Sequence, residues 1–156
     1  MDKLEEAINL IKSSDDNDLN RAIELLQIEI NKNPNDHINT DPCYNYMGKA
    51  FWKKAKLTGF TNKKMNDKAW RYINKAQIAW FHAIRTPSAC NDLTKSRRFQ
   101  ASFYYNQGDL RSAIKMIDEI ERTEDINKNM KGQLLTDSDI KKRNKWKQEL
   151  KKITKR

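Results

Sequence analysis

The residues of this chain with the widest chemical range are two histidines, His37 and His82, and two cysteines, Cys43 and Cys90. A nucleophile needs a base within hydrogen-bond reach, and His82 with Cys90 is the pair to weigh. They flank the turn at Pro87, where a thiol acts more simply as a small hydrophobe. Neither histidine stands in HExxH spacing or beside clustered carboxylates, so no metal-ligand set forms. Gly48, Gly59, Gly108 and Gly132 are the only glycines, and they cannot make a GxGxxG or GxxxxGK phosphate loop. The chain does not read as an enzyme, and no metal or cofactor is expected.

What remains as chemistry is charge. Residues 1 to 36 carry 4 basic against 9 acidic side chains, and 37 to 90 carry 10 against 2. Residues 91 to 135 carry 8 against 7, and 136 to 156 carry 9 against 3, so an acidic head precedes a basic middle and a basic tail. The tail, KKRNKWKQELKKITKR, has the composition that gains from counterion release on a phosphate backbone, with Trp146 available to stack on a base. The competing reading packs Trp146, Leu150 and Ile153, which recur at helical spacing, against the rest of the fold and leaves the lysines in water. Head and tail, opposite in sign, also suggest weak salt-sensitive self-association.

With 156 residues the chain can bury one sizeable core, and a mean hydropathy of -0.98 alongside four Trp, five Tyr and five Phe describes a folded, highly charged protein. The cysteines form no CxxC pair, which fits a reducing, cytoplasmic setting. No apolar run has the length of a signal-peptide core or a membrane span, so a mature chain starting near Met1 is expected.

A phrase used twice sets the architecture. Asp18-Leu19-x-x-Ala22-Ile23-x-x-Leu26 returns as Asp109-Leu110-x-x-Ala113-Ile114-x-x-Ile117, and a degenerate copy holds Ala76, Trp80, Ala83 and Ile84 at matching offsets. Alanine at such positions lets two helices approach closely, so the phrase marks a helical unit used about three times. Stripes at Leu4, Ala7, Ile8 and Ile11, and at Leu19, Ala22, Ile23, Leu26 and Ile30, predict a first hairpin with Asn17 or Asp18 as the second helix's cap and Pro34 beyond its end. Thr40, Asp41 and Pro42 read as the start of the next helix, through Leu57. The run 58 to 67 breaks the periodicity before a helix to about Arg85. A helix from about Asn91 to Tyr105 follows, then a turn at Gln107 and Gly108, and Asp109 caps a helix through Ile120. The expected organisation is all-α: an array over residues 1-122, a linker over 123-135, and a capping helix over 136-156 opened by Thr136 or Asp137.

These residues resemble the tetratricopeptide repeat, a 34-residue helical hairpin. The last copy carries it best, with Ala101, Tyr104, the turn from Tyr105 to Leu110, and Ala113, Ile117 and Ile120. The middle copy contributes Tyr44, Met47, Gly48, Phe51, Ala76, Trp80, Ala83 and Pro87, and the first contributes Ala22, Leu26 and Pro34. The resemblance implies about three stacked hairpins in a superhelix plus the capping helix. The leading helices would then line a concave groove carrying Asn45, Lys49, Trp52, Lys53, Lys95, Arg98, Ser102 and Tyr105. Cations, aromatics and an amide suit an acidic segment or C-terminal carboxylate of another protein, which makes the chain an adaptor. The family's carboxylate clamp draws a Lys and an Asn from the first leading helix, where this chain has Ala7 and Ile11, while Lys95 fits the third hairpin's contribution. The alternative is a small basic helical protein that binds nucleic acid through its middle segment and tail.

Overall fold

The computed structural model describes residues 2–154. The protein is all-helical: seven α-helices and one 3₁₀ turn, with no strand among the described residues. No helix is long and apolar enough to cross a membrane. The chain forms two compact units, Met1–Phe60 with Met65–Leu93, and Thr61–Lys64 with Thr94–Arg156.

In the first unit, α1 (Lys3–Ile11) opens at Asp2, whose side chain accepts from Glu5 N at 2.8 Å, and Glu5 and Glu6 complement the positive end of the helix. The next helix, α2 (Asp16–Lys32), is capped by Asp15, which accepts from Asn17 N, so it begins before the expected Asn17 or Asp18. Helix α3 (His37–Leu57) starts a turn earlier than Thr40 to Pro42 suggest, and Pro42 lies within it. The carbonyl that Pro42 cannot serve is that of Ile38, an 87% exposed residue open to water. Thr40 and Asp41 are buried, and Asp41 is held by Arg85 through two hydrogen bonds of 2.9 and 3.1 Å. A glycine in the left-handed region, Gly59 at φ +77°, follows the end of α3, and Asn66 caps α4 (Asp67–His82) by accepting from Ala69 N.

These helices pack as successive hairpins: α1 against α2, α2 against α3, α1 also against α3, and α3 against α4. Their core joins Ala7, Ala22, Leu26, Ala50 and Ala79 with larger aliphatics. A second cluster holds Ala76, Trp80 and Ala83 with Ala89 and Leu93 from the start of α5 (Pro87–Asn106). Pro87 occupies the first position of α5, where its missing N–H costs no helical bond. That places the helix start four residues before the expected Asn91.

In the second unit, Gly108 at φ +77° and the bond from Asp109 N to Tyr104 O close α5, and Asp109 caps α6 (Leu110–Ile126) by accepting from Ser112 N at 3.1 Å. Ala101 and Ala113, the small residues of this hairpin, are buried. Helix α6 continues four residues beyond 122. The following stretch, expected as part of a linker over 123-135, makes a 3₁₀ turn (Lys128–Met130) and buries Met130 and Leu134. The Glu124 carboxylate accepts from Leu134 N at 2.7 Å and Leu135 N at 2.9 Å. Burial pushes this acid up, but the backbone donors outweigh it and hold it below its usual range. Helix α7 (Asp137–Thr154) begins at a reciprocal cap, with Asp139 N donating to Thr136 Oγ1 and Thr136 N to Asp139 Oδ2. It packs on α6, with Trp146 buried and Arg143 bridging Asp118 and Glu121.

Candidate functional site

Charge divides by unit quite differently from the way it divides along the sequence. The first unit carries 12 Lys and Arg against 12 Asp and Glu; the second carries 19 against 9, and with them the whole net charge of +10. Folding brings the acidic head and the basic middle together. Lys54, only 5% exposed, donates to Asp16 at 2.6 Å and Asn20 at 2.5 Å and lies 5.0 Å from the centre of the Tyr72 ring. It borders an open cavity of about 670 Å³ that also meets Asp67 and Lys68, so opposite charges balance there.

The four expected groove residues of the first unit are engaged within it. Asn45 is 7% exposed, its Oδ1 has no hydrogen-bond partner among the described residues, and its backbone carbonyl accepts from Trp80 Nε1 at 3.2 Å. Lys49 pairs with Asp92 at 2.6 Å, Lys53 donates to Ile11 O at 2.5 Å, and Trp52 packs beside Phe60 and Trp80. Ala7 and Ile11, on α1, are core residues.

In the second unit Lys95 is exposed, whereas Arg98 grips Asp139 through Nε at 2.9 Å and a second nitrogen at 2.7 Å and also reaches Leu134 O at 3.0 Å. Asp139 is 1% exposed. Burial alone would raise its pKa, but the hydrogen bonds from Arg98 and Thr136 and the Arg98 charge lower it overall. The same bond raises Arg98.

Ser102 and Tyr105, the remaining two, share a cleft of about 290 Å³ with Lys142, Lys145 and Trp146 of α7. Tyr105 and Trp146 stack with ring centres 5.2 Å apart and planes 21° from parallel. Asn62 and Asn106 complete the lining. Asn106 Nδ2 donates to Asn62 O at 3.0 Å and Gln107 Nε2 to Lys63 O at 2.8 Å, which fixes the segment Thr61–Lys64 to the end of α5. Asn62, Asn106, Lys142 and Lys145 were not among the expected site residues. Their signal in the sequence was the i, i+3 pair of lysines beside Trp146, on the helix read as a cap.

In this unit several acids have fixed partners, whereas the lysines of α7 do not. Asp118 and Glu121 hold Arg143, Glu119 holds Arg122, Asp139 holds Arg98, and Glu124 binds backbone N–H groups. No ion pair among the described residues engages Lys141, Lys142, Lys145, Lys147, Lys151 or Lys152. The arrangement therefore offers unpaired ammonium groups, two amides and a phenol around a small aromatic-walled cleft, a set suited to carboxylates.

Both cysteines are buried. Burial, with the nearby carboxylates of Glu29 and Asp2, pushes the Cys43 thiol up to about 11. Cys90 Sγ lies 2.7 Å from Ile84 O. Among the described residues no group of three His, Cys, Asp or Glu gathers as a metal site. Comparison with protein-family models, curated proteins and solved structures gave no match for this chain.

Proposed function

We propose that the protein is an interaction adaptor, a divergent tetratricopeptide-like helical array that captures an acidic segment of another protein through its second unit. The observation that carries this reading is the cleft of Ser102, Tyr105, Lys142 and Lys145, set in the unit that holds the entire excess of positive charge. Unpaired lysines attract the segment, and the stacked Tyr105 and Trp146 give a rigid wall that loses little side-chain freedom on binding. The two unbridged, buried thiols suit a reducing, cytoplasmic location.

Nucleic-acid binding draws on the same lysine-rich helix and is the second reading. Two features disfavour it. Trp146, 5% exposed and stacked on Tyr105, has little face left for a base. Arg98 and Arg143, whose planar forks would grip phosphate bidentately, already hold carboxylates.

Fluorescence anisotropy of the full chain with a labelled glutamate-rich peptide and a labelled oligothymidylate separates the readings. Lys142→Glu with Lys145→Glu should weaken peptide binding by about tenfold or more while the melting temperature stays nearly constant, because exposed charges contribute little to stability. Peptide binding that survives this double reversal refutes the site.

A further inference from the structure

We infer that the cleft of the second unit is a carboxylate site, that the chain's own Glu149 rests against its Tyr105 donor, and that a partner's acidic segment binds by displacing Glu149 from that donor. This rests on the acidic-segment reading above and adds a residue-level mechanism to it.

Glu149 is the only acidic residue between Ile140 and Thr154. Steps of three and four residues return to the same side of a helix, so Glu149 lies on the flank of α7 that presents Lys142 and Lys145 to the cleft. Its carboxylate oxygen accepts from Tyr105 Oη at 3.5 Å. That distance is longer than the roughly 2.5 to 3.0 Å of an ordinary O–H···O bond, so the carboxylate lies beside the phenol without being locked to it. No ion pair among the described residues joins Glu149 to Lys145 or Lys152, although each is about one turn away. The Tyr105 phenol is fixed on the other side by its stack on Trp146, so the donor stays in place when its acceptor changes.

An incoming carboxylate meets this donor together with Lys142 and Lys145, while the displaced Glu149 has Lys152 within a turn to receive it. Exchange therefore leaves no unpaired acid behind. Lys141, Lys145 and Lys152 continue along the same flank. Eleven residues of helix cover roughly 16 Å, which matches about five residues of extended peptide. Asn62 reaches the cleft on the pinned segment that carries Lys63 and Lys64, adding cationic character to the same unit.

The experiment uses the full chain and fluorescein-labelled pentaglutamate, followed by anisotropy, with circular dichroism and melting of every variant. Glu149→Gln should tighten binding by about three- to tenfold, since it removes a like charge at the site. Asp125→Asn makes the same change in net charge at an exposed position on α6 with no hydrogen bond to a cleft residue, and should alter binding by less than about twofold. Tyr105→Phe keeps the ring and the charge but removes the donor, and should weaken binding by about threefold or more. Equal gains from Glu149→Gln and Asp125→Asn, or wild-type affinity in Tyr105→Phe, would overturn the displacement mechanism while leaving the acidic-segment reading in place. No binding of pentaglutamate to the wild-type chain would overturn both. An oligothymidylate that binds more tightly than pentaglutamate and competes with it would overturn the assignment to an acidic protein segment.

Discussion

Replacing Gly48 by alanine tests how closely α3 and α4 approach. A Cβ at Gly48 would sit 2.3 Å from Trp80 Nε1, 2.4 Å from Cδ1 and 2.6 Å from Cε2, all inside the 3.0 Å that real Cβ contacts respect. Ordinary contact needs the ring to withdraw by about 1 Å, and protein cores are close-packed enough to resist that. Trp80 is buried, donates to the Asn45 carbonyl and packs beside Trp52, so withdrawal strains or breaks those contacts. Overpacking costs about 1 to 3 kcal/mol, and a weakened indole hydrogen bond adds about 1 kcal/mol. Against this, alanine in a helix interior is favoured over glycine by about 1 kcal/mol. The net expectation is a destabilisation of roughly 2 kcal/mol, equivalent to a melting temperature lower by about 4 to 8 °C for a chain of this size. Thermal melts by circular dichroism measure it. Adding Trp80→Phe should return about 1 kcal/mol relative to the sum of the single changes, because the two residues touch. A Gly48→Ala protein that melts at or above the wild-type temperature would refute the close approach, since propensity alone would then have decided the outcome.

Asp139→Ala should destabilise the second unit by about 2 to 3 kcal/mol, below the range for a fully buried pair because the partly exposed Arg98 can rehydrate once unpaired. Urea unfolding would check it, and an effect under about 0.5 kcal/mol would mean that the bridge and cap do little. Asp139, Glu124 and Asp109 all have folded pKa values below their ordinary ones. Their contribution is therefore complete above the unfolded carboxylate range, near pH 4, and fades as pH falls through the lower folded values. The second unit should lose stability below about pH 4, and a Tyr105 and Trp146 fluorescence signal unchanged on acidification to pH 2 would contradict that. Cys43, with its thiol pushed up to about 11 and shielded by packing, should react with a thiol reagent only after denaturant is added. Rapid labelling of Cys43 in the native protein, located by mass spectrometry, would refute its burial.

The helices were legible where a local signal coincided with an apolar stripe. Gln107, Gly108 and Asp109 supply a left-handed closure and an oxygen cap at adjacent positions, and both are used. The repeated alanines mark close contacts because nothing larger fits, which is why Ala22, Ala76 and Ala113 are all fully buried. Pro42 misled because proline is most often a starter; here the helix begins earlier, and the bond Pro42 cannot make is to the carbonyl of the exposed residue Ile38. Arg85, 44 residues away, recruits Asp41 as an ion-pair partner, and no local pattern announces that. The stretch after α6 looks polar because Met130 and Leu134 are separated by charged and amide residues, yet Glu124 organises its backbone from within the preceding helix.

The site was less legible, and the reason is that ionic partners are chosen by the fold. Lys49 and Arg98 are as basic in sequence as Lys142 and Lys145, yet Asp92 and Asp139 face the first two and no acid locks the second two. Reversing Arg98 would set a second carboxylate against buried Asp139 and break the support of α7, so such a variant would report on folding before it reported on a ligand. The same logic removes the basic middle as a surface of its own, because its lysines share a unit with the acidic head and the charges there balance. Only Thr61–Lys64 leaves that balance, joining the second unit through hydrogen bonds from Asn106 and Gln107 and taking Lys63 and Lys64 with it. Net charge counted along a chain measures what must be neutralised. Net charge counted by folded unit, after the ion pairs within it are set aside, measures what remains to attract an anion, and in the second unit that remainder includes the lysines of α7.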